Sequence, residues 1–424
     1  MKKIVTILLA VVAAVTCCFG LAACGGNNSD TLRVGLIALH DSNSTYDKNF
    51  IDAFEAACKA QGVEAVIRTQ IPEDETCKTA AMDLADDGCK LVFADSFGHE
   101  PFLREAAAQY PDVEFCHATG TTTQTDKSLT NFHNAFASIY EGRYLAGVAA
   151  GVKLKAMYEA DNSIAKDGVI TVGYVGAFPY AEVKSGYTSW LLGVRKAFDV
   201  ENITVNMIVE FTNSWYDETS EREAANSLIE QGCVIISQHA DSWGAPKACE
   251  TAGVPNVSYN GSTASQCPNT FIISSRINWQ PYFEYIIECV KNGTEIAADW
   301  VQGLGETFDT GSVCLSELGT VAPAAGTMEV LEEVAAGLRN GTIKVFDTST
   351  FTLSEYKSVG NGFPALTDVV VEGNRLVSAK QNGVEVVKTE NGITYFNESA
   401  VDTNRSAPYF DMDIDGITLN LKAD

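Results

Sequence analysis

An internal sequence repeat limits the folds that this chain can adopt. Residues 80–98 read Ala-Ala-x-x-Leu-x-x-x-Gly-Cys, then an apolar run, then Asp-Ser-Phe-Gly. Residues 224–244 read Ala-Ala-x-x-Leu-x-x-x-Gly-Cys, an apolar run and Asp-Ser-Trp-Gly, with two more residues between the alanine pair and the aspartate. Each copy predicts a helix, a tight turn, a parallel strand and a loop that opens another helix. We interpret the match as a duplicated architecture rather than a chance likeness of two βα units.

Strand-like apolar runs alternate with helical stretches over much of the chain. Thr31–Leu39 is a compact run with β-branched members, Asn49–Gln61 carries an apolar stripe at helical spacing, and Val63–Arg68 is a second strand. Further strands are predicted at Leu91–Ala94, Glu114–His117, Val169–Val175, Thr204–Glu210, Val234–Ser237 and Asn256–Tyr259. Strands that alternate with helices form parallel sheets covered on both faces, so the predicted fold class is α/β.

The repeat also predicts where a ligand would bind. In open parallel sheets, ligands bind beyond the carboxyl ends of the strands. Both Asp-Ser-aromatic-Gly loops follow a predicted strand and therefore lie at those ends. Two lobes that face each other would offer a carboxylate, a hydroxyl and an aromatic ring from each side of a shared cleft.

The N-terminus is typical of an exported protein. A basic start precedes an apolar stretch that ends in Leu-Ala-Ala-Cys at 21–24, a lipobox-like pattern. We predict a signal peptide over 1–23, lipid attachment at Cys24 and a polar tether over 24–30. Since no later run is long and apolar enough to span a bilayer, we expect lipid anchoring at the outer face of the cell membrane. An ordinary secretory signal with a coincidental cysteine is the alternative.

The charge balance narrows the class of partner. The chain has 29 Lys and Arg residues against 55 Asp and Glu residues, a formal net charge of −26. Such a surface repels nucleic acid and anionic lipid, so neither is an expected partner. A neutral or cationic small molecule fits better than a polyanion.

The cysteines do not predict a metal site. Nine of the 12 follow the leader, scattered singly and without Cys-x-x-Cys spacing, so zinc is not expected. An odd number leaves at least one unpaired within the chain. We interpret those in apolar surroundings, such as Cys89, Cys233 and Cys289, as buried reduced thiols.

The common catalytic motifs are absent from the sequence. There is no Gly-x-Ser-x-Gly elbow, no P-loop and no His-Glu-x-x-His. His239, Asp241 and Ser242 are the residue types of a catalytic triad, but neighbours on one short loop rarely point at one another. The sequence therefore favours a binding protein that is not an enzyme and needs no cofactor.

Six short stretches, together and in this order, resemble the basic membrane protein family of bacterial substrate-binding lipoproteins, and most closely its purine-binding branch. They lie between about Thr31 and Ile287, at 95–98, 140–147, 173–179, 213–217, 238–242 and 279–282. The resemblance implies a two-lobed type I periplasmic-binding-protein fold, each lobe a parallel sheet flanked by helices. It also implies hinge closure on a purine base or nucleoside and delivery to the permease of an ABC importer, by a chain that we expect to be monomeric.

In that fold the chain crosses between lobes three times, and we expect crossings near Thr130, Ile273 and Asp299. The first lobe would then comprise 31–130 and 273–298, and the second lobe 131–272 and 299–424. The sequence departs from the family in its long C-terminal segment, where the strand-like runs Asp368–Val371 and Val384–Lys388 predict β-hairpins. It also departs at Ser44, where the purine-binding branch has an aromatic residue.

Recognition of a purine needs aromatic faces for the ring and polar groups for its edge. Stacking contributes about 1–3 kcal/mol per base, and carboxylates or amides read the edge. The aromatic candidates are Tyr46, Phe97, Phe178, Trp215 and Trp243, each with core packing as the alternative. Trp215 is favoured among them, because it follows a strand in the polar segment Asn-Ser-Trp-Tyr-Asp.

The candidates for the ligand edge are Asp95, Asp241, His239 and Asn260. Either aspartate could instead cap the helix that follows it, although Ser96 or Ser242 could take that role. His239 could be a hydrogen-bonded, half-buried histidine without a ligand contact.

Arg143 is assigned a structural role: it pairs with a nearby carboxylate, while Gly142 permits close packing between the lobes. A sugar-binding or sensory solute-binding protein would use the same fold, aromatic residues and carboxylates. An exported nucleoside hydrolase, with paired acids facing the cleft, is the alternative from another functional class.

Overall fold

A computed structural model describes residues 31–356, 366–381, 383–398 and 409–421. The predicted signal peptide, the lipid-attachment residue Cys24 and the tether lie outside the described residues. Over the described ranges, no helix combines the length and the apolar character that crossing a membrane requires.

The first lobe is built on a six-stranded, fully parallel sheet in the order β2-β1-β3-β4-β5-β11. Its strands are β1 (Arg33–Ile37), β2 (Glu64–Arg68), β3 (Cys89–Ala94), β4 (Glu114–Ala118), β5 (Phe132–Ala137) and β11 (Asp299–Gln302). Its helices are α1 (Thr45–Gln61), α2 (Glu75–Asp86), α3 (Glu100–Ala107), α4 (Thr122–Thr125) and α9 (Gln280–Asn292). Buried rings join α1 to α9, because Phe50 stacks on Trp279 with ring centroids 4.4 Å apart. This contact ties a C-terminal helix into the first lobe.

The second lobe is built on a seven-stranded sheet in the order β12-β10-β9-β8-β6-β7-β18, in which only β12 runs antiparallel to its neighbour. Its strands are β6 (Val169–Gly176), β7 (Thr204–Phe211), β8 (Ile236–Gln238), β9 (Asn256–Tyr259), β10 (Phe271–Ile277), β12 (Val313–Leu315) and β18 (Ile417–Asn420). Its helices are α5 (Ile139–Ala160), α6 (Ala181–Phe198), α7 (Glu218–Glu230) and α8 (Gly244–Ala252). The predicted α/β class is confirmed.

Helices α5 and α6 approach so closely that glycine is required at their contact. A Cβ at Gly147 would lie 2.0 Å from the carbonyl oxygen of Trp190, and a Cβ at Gly193 would lie 2.0 Å from that of Tyr144. A side chain at either position would force the two backbones apart, so the two glycines set the distance between these helices. The first turn of α6 lines the cavity described below through Glu182.

The two repeat copies form the same sequence of elements, as predicted. The first is α2, β3 and a short 3₁₀ turn leading into α3, and the second is α7, β8 and α8. Gly88 and Gly232 both adopt a φ of +91°, a left-handed conformation that glycine tolerates between helix and strand.

The crossings between lobes lie later in the chain than expected. The position near 130 falls just before β5 and the position near 299 at the start of β11, and both of these strands belong to the first sheet. The position near 273 falls within β10, which belongs to the second sheet. The chain leaves each sheet only after that strand has completed its pairing, beyond Ala137, Ile277 and Gln302. The first lobe therefore comprises 31–137 and 278–302.

The C-terminal segment packs on the second lobe and ends within its sheet. It contains α10 (Thr327–Arg339), β13 (Thr367–Glu372), β14 (Arg375–Gln381), β15 (Val384–Glu385), β16 (Val387–Glu390) and β17 (Ile393–Phe396). Strands β13–β15 form one antiparallel sheet and β16–β17 a hairpin, which confirms the predicted hairpins. Phe346 and Phe410 stack at 4.2 Å in a shared core, and β18 then pairs in parallel with β7.

The nine cysteines among the described residues are all buried, and none of these nine forms a disulfide. Burial raises the pKa of several of the thiols, including that of Cys233 to about 12, which disfavours the reactive thiolate. The interpretation of these residues as buried reduced thiols is confirmed.

Candidate ligand-binding site

The lobes enclose a cavity of about 360 Å³, including its mouth, at the carboxyl ends of the parallel strands. The first lobe contributes Leu39, His40, Tyr46, Asp47, Ser96, Phe97 and Thr119 to its walls. The second lobe contributes Glu182, Trp215, His239, Asp241 and Tyr259.

The two lobes touch beside this cavity. The backbone N–H and the Oγ1 hydroxyl of Thr45 both donate to the carbonyl oxygen of Asp241, each at 3.1 Å. The ring of His40 lies 5.3 Å from the ring of Tyr216 on the opposite lobe. The cavity is therefore flanked by direct contacts between the lobes.

The start of α1 supplies an acidic group to the cavity. Ser44 caps the helix, and its hydroxyl donates to Oδ2 of Asp47 at 2.6 Å. The backbone N–H of His40 donates to Oδ1 of Asp47 at 2.7 Å, and its Nδ1 lies 3.3 Å from Oδ2. Burial opposes ionisation of Asp47, but these hydrogen bonds outweigh it and hold the pKa of the carboxyl below its usual value.

Tyr46 lines the cavity, whereas Asp95 lies behind its wall. The Tyr46 hydroxyl donates to the backbone oxygen of Asp95 at 2.7 Å. Oδ1 of Asp95 accepts the N–H of Leu39 at 3.1 Å, and among the described residues Oδ2 has no hydrogen-bond partner. Burial, with the nearby charge of Asp47, raises the pKa of the Asp95 carboxyl well above its usual value.

The first Asp-Ser-aromatic-Gly loop turns its ring toward the cavity. Glu73 anchors the loop, because its Oε1 accepts the Ser96 hydroxyl at 2.6 Å and the Gly98 N–H at 2.7 Å. The ring of Phe97 lines the cavity and lies 5.5 Å from that of Tyr180. Phe97 is thus an aromatic face offered by the first lobe.

Trp215 is the corresponding face from the second lobe, and Phe178 supports it from outside the cavity. Phe178 stacks on Tyr180 at 5.1 Å and meets Trp215 edge-on at 5.0 Å. Phe178, a predicted ligand contact, does not line the cavity and instead packs against Trp215, which does.

His239 and Glu182 form a hydrogen-bonded pair on the cavity wall. Nε2 of the buried His239 lies 3.2 Å from Oε1 of Glu182, and Nδ1 lies 3.4 Å from the Tyr174 hydroxyl. The ring of Tyr259 lies 4.8 Å from the His239 ring. The pair brings a carboxylate from the first turn of α6 into the cavity.

The second Asp-Ser-aromatic-Gly loop presents its carboxyl group instead of its ring. Asp241 lines the cavity, and its Oδ1 accepts from Nδ2 of Asn260 at 3.3 Å. Burial and neighbouring carboxylates raise the pKa of Asp241 well above its usual value. Trp243 instead borders an outer polar groove, where Lys247 lies 5.5 Å from its ring centroid.

The serines of the two loops, which the sequence offered as alternatives to the aspartates, cap the helical turns that follow. Ser96 is the cap residue of the 3₁₀ turn, and Oγ of Ser242 accepts the Gly244 N–H at 3.0 Å. Oε1 and Oε2 of Glu221 both accept the Ser242 N–H at 3.1 Å. Neither aspartate is therefore needed as a helix cap.

The structure gathers five of the nine predicted site residues around the cavity, namely Tyr46, Phe97, Trp215, His239 and Asp241. The other four, Asp95, Phe178, Trp243 and Asn260, do not line it. Sequence reasoning missed Asp47, Glu182 and Tyr259. The first two lie in the opening turns of helices, where Asp and Glu are also common for helix stability, so their residue type carried no specific signal.

Arg143 differs in part from its predicted role. Among the described residues it has no carboxylate partner; it donates to the carbonyl of Gln238 at 2.8 Å and to the Tyr174 hydroxyl. Its guanidinium carbon lies 4.4 Å from the ring centroid of Tyr259. A Cβ at Gly142 would lie 2.8 Å from a methyl group of Val313 in β12, so the close packing at this glycine lies within the second lobe and not between the lobes as predicted.

Comparison with known proteins identifies relatives of the region that forms both lobes. A family model described as ABC transporter substrate-binding protein PnrA-like matches residues 37–313. The chain is 32% identical over 270 residues to a purine-binding protein of Brucella abortus, covering 62% of this chain and 70% of that protein. It is also 32% identical over 246 residues to a Haloferax volcanii protein named as an ABC transporter glucose-binding protein, covering 58% of this chain and 55% of that relative.

Solved structures confirm the fold. An ABC transporter solute-binding protein from Aeropyrum pernix K1 superposes with a TM-score of 0.59 at 17% identity, covering 74% of this chain and 93% of that chain. An ABC transporter solute-binding protein from Conexibacter woesei superposes with a TM-score of 0.57 at 20% identity, covering 74% of this chain and 98% of that chain. These neighbours have the type I periplasmic-binding-protein fold expected from the sequence. Because the family model spans well over half of the chain, this protein belongs to the family of PnrA-like ABC transporter substrate-binding proteins.

Proposed function

We propose that this protein captures a purine base or nucleoside, with an adenine-like ligand favoured, and delivers it to the permease of an ABC importer. The observation that carries the proposal is the composition of the cavity between the lobes. Phe97 and Trp215 bring aromatic faces from opposite lobes, and Asp47, Glu182 and Asp241 bring carboxyl groups. A flat, polarizable ring with N–H groups at its edge matches this combination.

The chemistry of the edge favours an amino-bearing ligand. Asp47 is an ionised acceptor in its hydrogen-bonded setting, and the Glu182 carboxylate already pairs with His239. These carboxylates can accept further hydrogen bonds from a ligand that carries N–H donors, so a ligand without them gains less on binding. The relative from Brucella abortus, named a purine-binding protein, supports the same ligand class.

A sugar is the second candidate, favoured by the Haloferax volcanii relative that is named for glucose binding. Sugar hydroxyls also donate to carboxylates, and sugar rings also pack on aromatic side chains. The two candidates differ in stacking, because a planar base gains from both Phe97 and Trp215.

The cellular setting is part of the proposal. Members of this family are extracytoplasmic, and we propose that the acylated Cys24 anchors this chain as a monomer at the outer face of the membrane. Binding needs neither a metal ion nor an organic cofactor, and the ligand leaves unconverted. Cys24→Ala should move the protein from the membrane fraction to the soluble fraction, and persistence in the membrane fraction would contradict lipid anchoring there.

A thermal-shift screen tests the ligand assignment. Protein freed of co-purified ligand is heated with adenine, guanine, adenosine, inosine or glucose. A ligand at about 100 times its Kd stabilises the folded protein by about 2.7 kcal/mol, which gives a measurable rise in Tm. A rise with adenine or adenosine supports the proposal and distinguishes the base from the nucleoside.

The other outcomes are equally informative. A rise with glucose alone assigns the site to sugars, and no rise with any ligand contradicts the proposal. Release of free base from inosine or adenosine would show instead that the protein is a hydrolase.

A further inference from the structure

A buried chain of polar groups links helix α5 to the cavity wall. Arg143, which is fully buried, donates to the carbonyl of Gln238 and to the hydroxyl of Tyr174. That hydroxyl lies 3.4 Å from Nδ1 of His239, whose Nε2 lies 3.2 Å from Oε1 of Glu182. His239 and Glu182 line the cavity, whereas Arg143 and Tyr174 lie behind them.

Hydrogen-bond chemistry gives this chain a direction. A guanidinium group has only donors, so the Tyr174 oxygen accepts from Arg143. The hydroxyl has a single proton, and Nδ1 of His239 is the acceptor within its reach among the described residues. Nδ1 is then unprotonated and the ring proton lies on Nε2, so that Nε2–H donates a hydrogen bond to Glu182.

The surrounding residues hold the imidazole in place. A Cβ at Gly186 would lie 2.9 Å from Nδ1 of His239 and 3.4 Å from the Tyr174 oxygen, so glycine is needed at this point of α6. The rings of Tyr259 and Trp215 lie 4.8 Å and 6.5 Å from the His239 ring. With the ring fixed, the tautomer decides whether Nε2 donates to Glu182 or accepts from it.

We propose that Arg143 and Tyr174 are positioning residues that fix the Nε2–H tautomer of His239 and so hold Glu182 as a hydrogen-bond acceptor toward the ligand. Oε1 of Glu182 accepts a hydrogen bond from the Nε2–H group of His239, and Oε2 is left to accept an N–H of the ligand. A purine with an amino group at this edge gains a hydrogen bond that unsubstituted purine lacks. This effect on selectivity rests on the proposed purine ligand, whereas the tautomer itself does not.

Nitrogen NMR of the histidines tests the tautomer without any ligand. The full-length protein has five histidines, so labelling them with ¹⁵N gives a small set of signals, and loss of one set in His239→Gln assigns that residue. We expect an unprotonated Nδ1 and a protonated Nε2 for His239 at neutral pH. The opposite tautomer, or a ring protonated on both nitrogens, would overturn the proposal, and the wild-type spectrum alone decides this.

Tyr174→Phe tests the relay, and Tyr187→Phe is its matched control. Tyr187 is equally buried, meets Tyr174 edge-on at 5.8 Å, and donates its hydroxyl to Asp413 on the outer side of α6. We expect Tyr174→Phe to give a mixture of His239 tautomers and to reduce the preference for adenine over unsubstituted purine roughly tenfold, as for one oriented hydrogen bond. Tyr187→Phe should change neither.

Calorimetric titration of the three proteins with adenine and unsubstituted purine separates the two proposals. If wild-type protein binds neither purine here and no nucleoside in the thermal-shift screen, the proposed function fails while the NMR spectrum still decides the tautomer. If it binds adenine but Tyr174→Phe keeps the full preference, the function stands and the relay is contradicted. An equal loss of preference in Tyr187→Phe would show a general packing effect and would also overturn the relay.

Discussion

The two Asp-Ser-aromatic-Gly loops have almost the same sequence but opposite roles. In the first lobe the ring of Phe97 lines the cavity and Asp95 is buried behind the wall; in the second, Asp241 lines the cavity and Trp243 borders an outer groove. The cause is the two-residue difference in spacing. Asp95 follows directly on β3, which ends at Ala94, so its carboxyl stays within the sheet layer. Asp241 lies three residues beyond the end of β8 and reaches the cleft.

A repeated motif therefore fixes the position of a loop but not which of its side chains meets the ligand. The anchors of the two loops differ as well. Glu73, half-buried, holds the first loop, whereas the fully buried Glu221 holds the second. The second lobe is also held from outside, where Lys184 and Tyr187 of α6 bind Asp413 of the C-terminal segment.

The largest expected effect concerns this outer attachment. The Lys184 side chain is fully buried and pairs with Asp413, with Asp411 at 4.0 Å. Asp413→Ala should lower the free energy of unfolding by about 3–5 kcal/mol, because it leaves a buried ammonium group without its main partner. Chemical denaturation measures the change.

Asp52→Ala is the control in the first lobe, since it removes an exposed ion pair with Lys48. Surface pairs contribute little to stability, so its effect should be much smaller. Equal losses in the two variants would mean that the C-terminal segment does not stabilise the second lobe through Lys184.

The second prediction concerns the anchor of the second loop. Burial raises the pKa of Glu221 to about 7 from 4.5, against the hydrogen bonds from Ser242 that lower it. The folded protein therefore holds this proton more tightly than the unfolded chain, and its stability falls as the pH rises from 4.5 to about 7. Glu221→Gln does not titrate but keeps an acceptor for the Ser242 N–H. As the pH rises through that range, the free energy of unfolding of wild type should therefore fall by about 3 kcal/mol relative to that of Glu221→Gln.

Denaturation at a series of pH values measures this gain. Glu221→Ala is the control, because it removes the acceptor and should lose stability at every pH. A difference between Glu221→Gln and wild type that stays constant with pH would contradict the assigned titration.

The third prediction tests the exchange of roles between the two aromatic residues. Phe97→Ala should weaken binding of the purine found by thermal shift by about 1–3 kcal/mol, roughly 5- to 150-fold, through the loss of stacking. Trp243→Ala should leave the affinity within about twofold, since its ring borders the outer groove. Calorimetric titration measures both. A larger loss in Trp243→Ala would reverse the comparison.

Much of the fold could be predicted from the sequence, because its central strands are continuous apolar runs. Strand β9 was predicted with its observed bounds, Asn256–Tyr259. Strand β5 was not, since His133 and Asn134 interrupt its apolar pattern although both are buried. Strand β18 pairs with β7 across more than 200 residues, and no local pattern reveals such a partner.

The site was less predictable, because a side chain's direction depends on small offsets along the chain. The sequence predicted that both aspartates would lie near the cleft, but it did not show that Asp95 turns toward the N–H of Leu39. Glu182 was missed because its role depends on His239, which is distant in sequence and meets it only in the folded lobe.

The smallest expected effect concerns the orientation of Asp241. Asn260 donates to its carboxyl at 3.3 Å and adopts a φ of +63°, whereas Asp95 receives a backbone N–H instead. Asn260→Gly removes the amide and suits the left-handed backbone, so it tests the hydrogen bond without adding strain. We expect ligand affinity to fall about fivefold, for roughly 1 kcal/mol, by calorimetric titration. Unchanged affinity would mean that the second loop positions Asp241 through its backbone alone, and the two loops would then differ in spacing but not in how their carboxyl groups are held.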